Sequence, residues 1–195
     1  MPQIVGGTAR GRLLKQPPGD VRPATARMKQ SMFDYLRGVL PGANVLDLYC
    51  GSGALGLESI SRGAKSAWLV DLLPDVMNVV KINAKMLKFE SNCRYIISDA
   101  FGFLTKAKVT QYGPFSLVFV APPYKIAEPA RILTALHEAK IVLPGGSVCI
   151  EYSKHTDHPN PDNFTLDRRR RYGQTILDIW DYIPPEKDCD PKLRV

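Results

Sequence analysis

The sequence predicts an α/β fold with a doubly wound, mostly parallel sheet, and three observations lead to this prediction. Short apolar segments that suit buried strands alternate along the chain with segments of helical periodicity. A glycine-rich turn, Gly51-Ser52-Gly53, directly follows one of these strands, and Asp71 and Asp99 follow the next two. In such a fold the carboxyl ends of the parallel strands form one edge, where ligands bind.

The composition is that of an ordinary globular protein, with 45% hydrophobic and 23% charged residues among 195. We expect an N-terminal arm and first helix over residues 1–40, a main domain over 41–183 and a polar tail over 184–195. We expect neither a membrane span nor a secretory signal, because no apolar run approaches about 20 residues and Met1-Pro2-Gln3 does not open such a signal. Its four cysteines are far apart and form no C-x-x-C, so neither a zinc site nor a disulfide framework is indicated, and we expect the protein in the reducing cytoplasm. No metal is expected, because His155 and His158 lie in a proline-containing loop without an evident third ligand.

Positive charge is concentrated near the N-terminus. Residues 1–37 carry seven basic and two acidic side chains, a balance of +5, which leaves +2 of the net +7 for the other 158 residues. This distribution favours contact with a polyanion. A merely solvated basic arm is the alternative.

The N-terminal residues predict two elements. Residues 3–14 suit a short hairpin that ends before Pro17-Pro18-Gly19. Residues 24–40 suit a helix, which Pro41-Gly42 stops. Apolar residues share one stripe of this helix, and its methionines are predicted to be core rather than cofactor contacts: Met28, Met32, Phe33, Leu36, Val39 and Leu40.

The glycine-rich unit predicts a nucleoside site. A strand over residues 45–48, the glycine turn and a helix over 54–62 would leave backbone N–H groups free for a ligand. The spacing of Gly51, Gly53 and Gly56 also fits dinucleotide-binding proteins. However, Asp47 lies inside the strand, where a carboxylate would repel a pyrophosphate but could hold a cationic group.

The second strand, over residues 66–70, ends on Asp71, and a helix is predicted over 74–87 with Pro74 in its first turn. Asp71 lies 18 residues after Gly53. An acid at this place can accept both ribose hydroxyls of a nucleoside. Alternatively, Asp71 caps the helix that follows.

A strand from Phe115 runs into Ala121-Pro122-Pro123-Tyr124. A Pro-Pro-aromatic segment has no role in hydride transfer. It resembles the fourth-strand motif of S-adenosylmethionine-dependent amino-methyltransferases, which is Asn or Asp, then Pro-Pro, then Tyr or Phe. Ala121 departs from this motif because alanine has no side-chain acceptor.

Further segments narrow the resemblance to one family. Residues 11–14, 22–27, 33–36 and 171–175 are similar to bacterial small-subunit ribosomal RNA guanine-N2 methyltransferases. Ala24 and Ala26 stand where that family usually has Thr and Asp. The resemblance covers nearly the whole chain.

The resemblance implies a Rossmann-like class I methyltransferase with a seven-stranded sheet and a small N-terminal basic extension. S-adenosylmethionine would be the cofactor, and ribosomal RNA or an assembling small subunit the partner of a monomer. Cofactor contacts would be Asp47, Tyr49, Gly51, Ser52, Gly53, Asp71, Leu72, Asp99, Ala100 and Phe101. The acceptor guanine would meet Ala121, Pro122, Pro123 and Tyr124, and RNA would contact Arg10, Arg12, Arg22 and Arg27.

The resemblance also implies that Asp99 accepts a hydrogen bond from the adenine amino group of the cofactor, with Ala100 and Phe101 near the adenine ring. Asp99 could instead, or in addition, cap the helix predicted over residues 101–108. Three accounts of Ala121 stay open: an active enzyme with another acceptor, a sequence altered at this residue, or a natural RNA-binding protein with weak catalysis. An amino-methyltransferase with a different substrate is a further alternative.

The C-terminal half predicts a helix over residues 128–140, a turn at Pro144-Gly145-Gly146 and a strand over 147–152. Residues 164–170 and 176–182 suit a hairpin that turns at Gly173. In the arginine run 168–171, alternate side chains face opposite ways, so only half can meet one partner. RNA contact and plain solvation both fit these arginines.

Overall fold

The computed structural model describes residues 1–18, 25–110 and 112–185, apart from the side chains of 108–110 and 125. Arg22, Ala24 and the tail from residue 186 lie outside them. The strands are β1 Asn44–Leu48, β2 Ser66–Asp71, β3 Cys93–Ile97, β4 Phe115–Val120, β5 Val142–Ser153, β6 Phe164–Tyr172 and β7 Thr175–Tyr182. The helices are α1 Ala26–Tyr35, α2 Ala54–Ser61, α3 Pro74–Leu87, α4 Ala100–Thr110 and α5 Pro129–Ala139.

The strands form one sheet in the order β3-β2-β1-β4-β5-β7-β6. β1 pairs in parallel with β2, β2 with β3, and β4 with β5, whereas β7 runs antiparallel to both β5 and β6. The predicted doubly wound, mostly parallel seven-stranded sheet is therefore confirmed. The chain divides into two compact units, residues 1–100 and 101–195.

In the first unit, the register aligns the carboxyl ends of three parallel strands. Leu48 of β1 pairs with Val70 of β2, and Asp71 of β2 pairs with Ile97 of β3. β1 and β2 are largely buried, β3 is more exposed, and α2 and α3 connect the three strands in the usual crossover manner. The loops that follow β1, β2 and β3 consequently emerge at one edge.

The predicted N-terminal hairpin forms a single antiparallel bridge between Gln3 and Leu13. The hairpin residues Ile4 and Leu14 are fully buried. The predicted helix extent is wrong at its C-terminal end, because α1 ends at Tyr35 and continues only as a 3-10 helix over Leu36–Gly38. Gly38 and the following Pro41-Gly42 explain this early end, since glycine and proline disfavour helix. The methionines are buried as predicted, but Val39 is 41% exposed.

A buried carboxylate holds the N-terminal arm. Glu58 of α2 is fully buried and accepts from the Val5 N–H at 3.1 Å and from Lys29 Nζ at 2.9 Å. Arg62 Nε donates to the same carboxylate at 3.0 Å. Lys29, counted among the seven basic residues of the arm, is therefore neutralised inside the protein and is not available to a polyanion.

In the second unit, β5 is longer than the sequence predicted. The turn expected at residues 144–146 is instead an irregularity within β5, where Phe115 pairs with Val142 but Leu117 pairs with Ser147. Gly145 has a φ of 73°, which glycine adopts without the cost of a Cβ. β4 ends at Val120, so Ala121 to Pro123 are irregular and Tyr124 begins a 3-10 helix.

The β6–β7 hairpin forms as predicted, with Tyr172 and Thr175 paired across Gly173, whose φ is 62°. Across the described ranges, no helix is long and apolar enough to cross a bilayer. The same residues contain no group of three or more His, Cys, Asp or Glu side chains placed to hold a metal ion.

Candidate active site

The glycine turn after β1 has an unusual backbone. Tyr49, Gly51 and Gly53 have φ values of 61°, 52° and 76°. A tyrosine in this left-handed region is uncommon, and such residues cluster at functional sites. The turn closes with a hydrogen bond from the Gly53 N–H to the Cys50 carbonyl at 2.7 Å, and α2 starts directly after it.

The third glycine of the pattern lets α2 pack against β2. A Cβ at Gly56 would lie 2.4 Å from Leu69 Cδ2 and 3.3 Å from Asp47 Oδ2. The Gly56 N–H donates to Asp47 Oδ2 at 2.9 Å. Gly56 therefore brings the helix start close enough for this bond.

Asp47 is 1% exposed, and its Oδ1 atom is buried with no hydrogen-bond partner among the described residues. Burial raises the pKa of Asp47 from its ordinary 3.8 to about 7. The Gly56 hydrogen bond opposes this rise, and the negative charge of Asp71 adds to it. The unpartnered oxygen and the raised pKa fit a carboxylate placed to receive a cationic or N–H-bearing ligand group.

This pKa predicts a fall in stability with rising pH. Between pH 3.8 and about 7 the folded protein keeps the Asp47 proton and the unfolded chain does not, so deprotonation favours unfolding. An Asp47→Asn variant should lose this part of the pH dependence of the free energy of unfolding, because asparagine does not titrate. Urea unfolding of both proteins from pH 5 to pH 8 measures it. Parallel pH profiles for the two proteins would contradict the assignment.

Asp71 links the loops of three strands. Its Oδ2 accepts from the Gly51 N–H at 3.0 Å, and its Oδ1 accepts from the Leu73 N–H at 3.2 Å. Its backbone carbonyl accepts from the Ser98 N–H at 3.0 Å. The side chain thus orders the start of the α3 segment and the glycine turn together. Each carboxylate oxygen has a second lone pair, so acceptor capacity for ribose hydroxyls remains.

The other predicted cofactor residues of the first unit lie in the same loops. Leu72, next to Asp71, is 60% exposed. Asp99 is exposed and directly precedes α4, whereas Ala100 is buried. Ser52 is buried within the glycine turn. The geometry therefore brings Asp47, Tyr49, the glycine turn and Asp71 together. Asp99 directly follows Ser98, whose N–H is bonded to the Asp71 carbonyl.

Asn83 of α3 is a residue that the motifs did not indicate. It is fully buried, and its Nδ2 donates to the carbonyls of Ser52 and Lys15, both at 2.9 Å. Its Oδ1 accepts from the Lys15 N–H at 2.8 Å. Asn83 therefore fixes the glycine turn and the N-terminal arm to one helix. Its only sequence signal is a polar residue on the otherwise apolar stripe of α3 that includes Val76, Met77, Val80, Ala84 and Leu87.

In the second unit, the loop after β4 presents the Pro-Pro-Tyr segment. Pro122 is buried, and among the described residues nothing donates to its carbonyl, whereas the Pro123 carbonyl accepts from the Ile126 N–H at 3.0 Å. The Tyr124 hydroxyl is hydrogen-bonded to Thr175 Oγ1 of β7. Ala121 is half-buried and offers no side-chain acceptor. The Pro122 carbonyl thus keeps its capacity to accept a hydrogen bond.

Phe101 lies half-buried in the first turn of α4. The guanidinium of Arg131, on α5, lies 4.1 Å from the centre of its ring. Glu128 Oε2 holds Arg131 Nη1 at 2.8 Å. Arg131 therefore covers one face of the Phe101 ring, the ring that the resemblance places near the adenine, through a cation–π contact.

The predicted RNA contacts Arg10, Arg12 and Arg27 are exposed. Arg12 Nη2 donates to the Met86 carbonyl at 3.3 Å, which places it beside α3. Arg22 lies outside the described residues. The arm thus keeps exposed positive charge although Lys29 is buried.

Comparisons with known proteins identify relatives of this chain. Residues 2–181 match the family described as Conserved hypothetical protein 95. The Ribosomal RNA small subunit methyltransferase D of Escherichia coli K12 is 33% identical over 91% of this chain and 88% of that protein. The Haemophilus influenzae protein of the same name is 30% identical over 88% and 89%. A solved structure of the Escherichia coli protein yhhF is 31% identical, with a TM-score of 0.81 over 94% of this chain and 98% of that one.

The sheet topology and these likenesses define a class I methyltransferase, a class that uses S-adenosylmethionine as its methyl donor. More specifically, the chain belongs to the bacterial small-subunit ribosomal RNA methyltransferase family, as the sequence resemblance predicted.

Proposed function

We propose that this chain transfers a methyl group from S-adenosylmethionine to the exocyclic N2 amine of a guanine in small-subunit ribosomal RNA. The observation that carries the proposal is the Pro-Pro-Tyr segment after β4, with a buried Pro122 whose carbonyl accepts from no donor among the described residues. Family membership supports ribosomal RNA as the substrate.

Cofactor binding is assigned to the segments that follow β1, β2 and β3. The unpartnered Oδ1 of Asp47 suits an N–H donor or a cation, and the carboxylate of Asp71 suits ribose hydroxyls. Asp99 accepts from the adenine amino group in this proposal, with Leu72, Ala100 and Phe101 against the ring. A bound cation would stabilise ionised Asp47 and so lower the pKa that burial raises.

S-adenosylmethionine supplies an electrophilic methyl group on its sulfonium. The protein has to orient the guanine amine, whose lone pair is delocalised into the ring, for in-line attack. The Pro122 carbonyl accepts one amine N–H and so stabilises the positive charge that develops on nitrogen. Tyr124 stacks on the base, which has to leave its RNA structure to reach these groups.

Ala121 favours a second candidate function, an RNA-binding or assembly protein with weak catalysis. The motif's usual carboxylate or amide is absent at this position, so one of two acceptors for the amine is missing. This candidate keeps cofactor and RNA binding but predicts little methyl transfer.

Incubation with labelled S-adenosylmethionine and either small-subunit RNA or assembling particles separates the two candidates. The proposed enzyme incorporates label into RNA at a rate proportional to protein concentration. An Arg10, Arg12 and Arg27 triple alanine variant should incorporate less, because each removed arginine weakens phosphate binding. Absence of incorporation by this chain, together with strong incorporation by Ala121→Asp, would favour the binding protein. Unchanged incorporation by the triple variant would show that these three arginines do not bind the RNA.

A further inference from the structure

The end of the β6–β7 hairpin contacts the Pro-Pro-Tyr segment within the second unit. Thr175, the first residue of β7, is hydrogen-bonded through Oγ1 to the Tyr124 hydroxyl. Thr175 pairs across the Gly173 turn with Tyr172 of β6. We name residues 170–175 the hairpin tip. The hairpin tip therefore lies beside Tyr124, whose ring stacks on the acceptor base in the proposed function.

The two faces of this hairpin differ. Alternate residues of a strand share a face, and directly paired residues of neighbouring strands share it too. Tyr172 pairs with Thr175, and Arg170 is two residues away on the same strand, so all three lie on one face. Arg169 and Arg171 lie on the opposite face.

The arginines of the opposite face have partners in the protein. Arg169 donates from Nε and Nη2 to the two oxygens of buried Asp178, at 2.7 and 2.8 Å. Tyr152 also donates to Asp178, at 2.7 Å, which completes a buried network. Arg171 Nε donates to the Gly173 carbonyl at 3.0 Å and fixes the turn.

The face that carries Thr175 offers a cation and an aromatic ring. Arg170 is exposed, and no carboxylate of the described residues forms an ion pair with it. Tyr172 is half-buried. Asp181, on the same face of β7 as Thr175, lies toward the other end of the hairpin, where it pairs with Thr165. Positive charge and the aromatic ring are therefore concentrated at the end that contacts Tyr124.

We propose that Arg170 and Tyr172 of the hairpin tip bind the single-stranded RNA that adjoins the acceptor guanine, while Thr175 positions Tyr124. An arginine pairs with a phosphate, and a tyrosine ring stacks on a neighbouring base without sequence preference. Thr175 touches no substrate in this proposal and acts through the tyrosine. The inference rests on the proposed function, because its partner is the RNA that is methylated.

RNA binding tests the surface without requiring catalysis. The probe is a fluorescently labelled small-subunit RNA fragment with guanine in a single-stranded loop. Arg170→Ala and Tyr172→Ala should each weaken binding by roughly three- to ten-fold, and Tyr172→Phe should bind like the unmodified chain. Arg170→Ala should also reduce the slope of log affinity against log salt by about 0.7, since one phosphate contact is lost.

A matched control removes the same charge elsewhere. Arg94→Ala changes an exposed arginine on β3, the first strand in the strand order of the sheet. It should bind RNA within about two-fold of the unmodified chain and keep the full salt slope. Equal losses for Arg170→Ala and Arg94→Ala, or no RNA binding by the unmodified chain, would overturn the proposal.

The role of Thr175 is tested kinetically in an Ala121→Asp background. Thr175→Val and Tyr124→Phe should each lower kcat by roughly ten-fold with little change in KM, because a loosened ring misorients the base. Combining them should lower kcat no further, since both remove one hydrogen bond. Thr175→Ser keeps the hydroxyl and should restore the rate. Failure of the serine variant, with an unchanged thermal midpoint, would contradict the positioning role.

The outcomes separate this inference from the proposed function. Methylation of RNA together with unaltered RNA binding by Arg170→Ala and Tyr172→Ala would refute the hairpin surface alone. Weakened RNA binding by these variants, with no methylation by either the unmodified chain or Ala121→Asp, would refute the enzyme and leave the RNA-binding surface in place.

Discussion

Replacing Ala121 with aspartate is expected to raise the single-turnover rate of methyl transfer by roughly a hundred- to thousand-fold, the usual effect of one preorganised hydrogen-bonding group. The half-buried position directly follows β4 and precedes Pro122, whose carbonyl would supply the other acceptor. A carboxylate there would accept the second N–H of the amine and stabilise the charge that develops on nitrogen. Single-turnover conditions are required because they report the chemical step rather than product release.

Ala121→Val is the matched control, since valine adds volume without an acceptor and should not raise the rate. Binding of S-adenosylmethionine, measured by calorimetry, should be similar in all three proteins because residue 121 is not assigned to the cofactor. An aspartate variant no faster than the unmodified chain would mean that another acceptor already serves the amine.

The second large effect concerns stability. Glu58→Gln is expected to lower the free energy of unfolding by about 3–5 kcal/mol, because it leaves the Lys29 ammonium, which is 2% exposed, without its counter-charge. The carboxylate also accepts from Val5 and Arg62, so the N-terminal arm should loosen along with α1. Urea unfolding at neutral pH measures the change.

Glu128→Gln is the matched control for this stability effect. Glu128 forms the same type of ion pair with Arg131, but the two side chains are 51% and 63% exposed. Solvent-exposed pairs contribute little, so this substitution should cost less than about 1 kcal/mol. Similar costs for the two variants would show that the buried pair is not the anchor of the arm.

The parts of the site that the sequence predicted are those that follow strands directly. The glycine turn, Asp71 and the Pro-Pro-Tyr segment each have a local pattern that fixes both their backbone and their place at a strand end. The hydrogen bond between Gly51 and Asp71 follows from that placement, since the two loops emerge from neighbouring parallel strands.

The residues that the sequence did not predict act through contacts distant in the chain. Asn83 reaches Lys15, 68 residues away, and Glu58 reaches Val5 over 53 residues. Thr175 meets Tyr124 over 51 residues. Each is a polar residue on a buried face or at a strand start, and periodicity indicates burial without naming the partner. The same limit explains Lys29, which the charge count placed with the exposed arm.

The product of the reaction tests the proposed function most directly. Small-subunit RNA is incubated with S-adenosylmethionine and either the unmodified chain or Ala121→Asp, digested to nucleosides and analysed by mass spectrometry. N2-methylguanosine should accumulate at one position, slowly with the unmodified chain and much faster with the aspartate variant. Methylation of a different base or atom, or no methylated nucleoside with either protein, would contradict it.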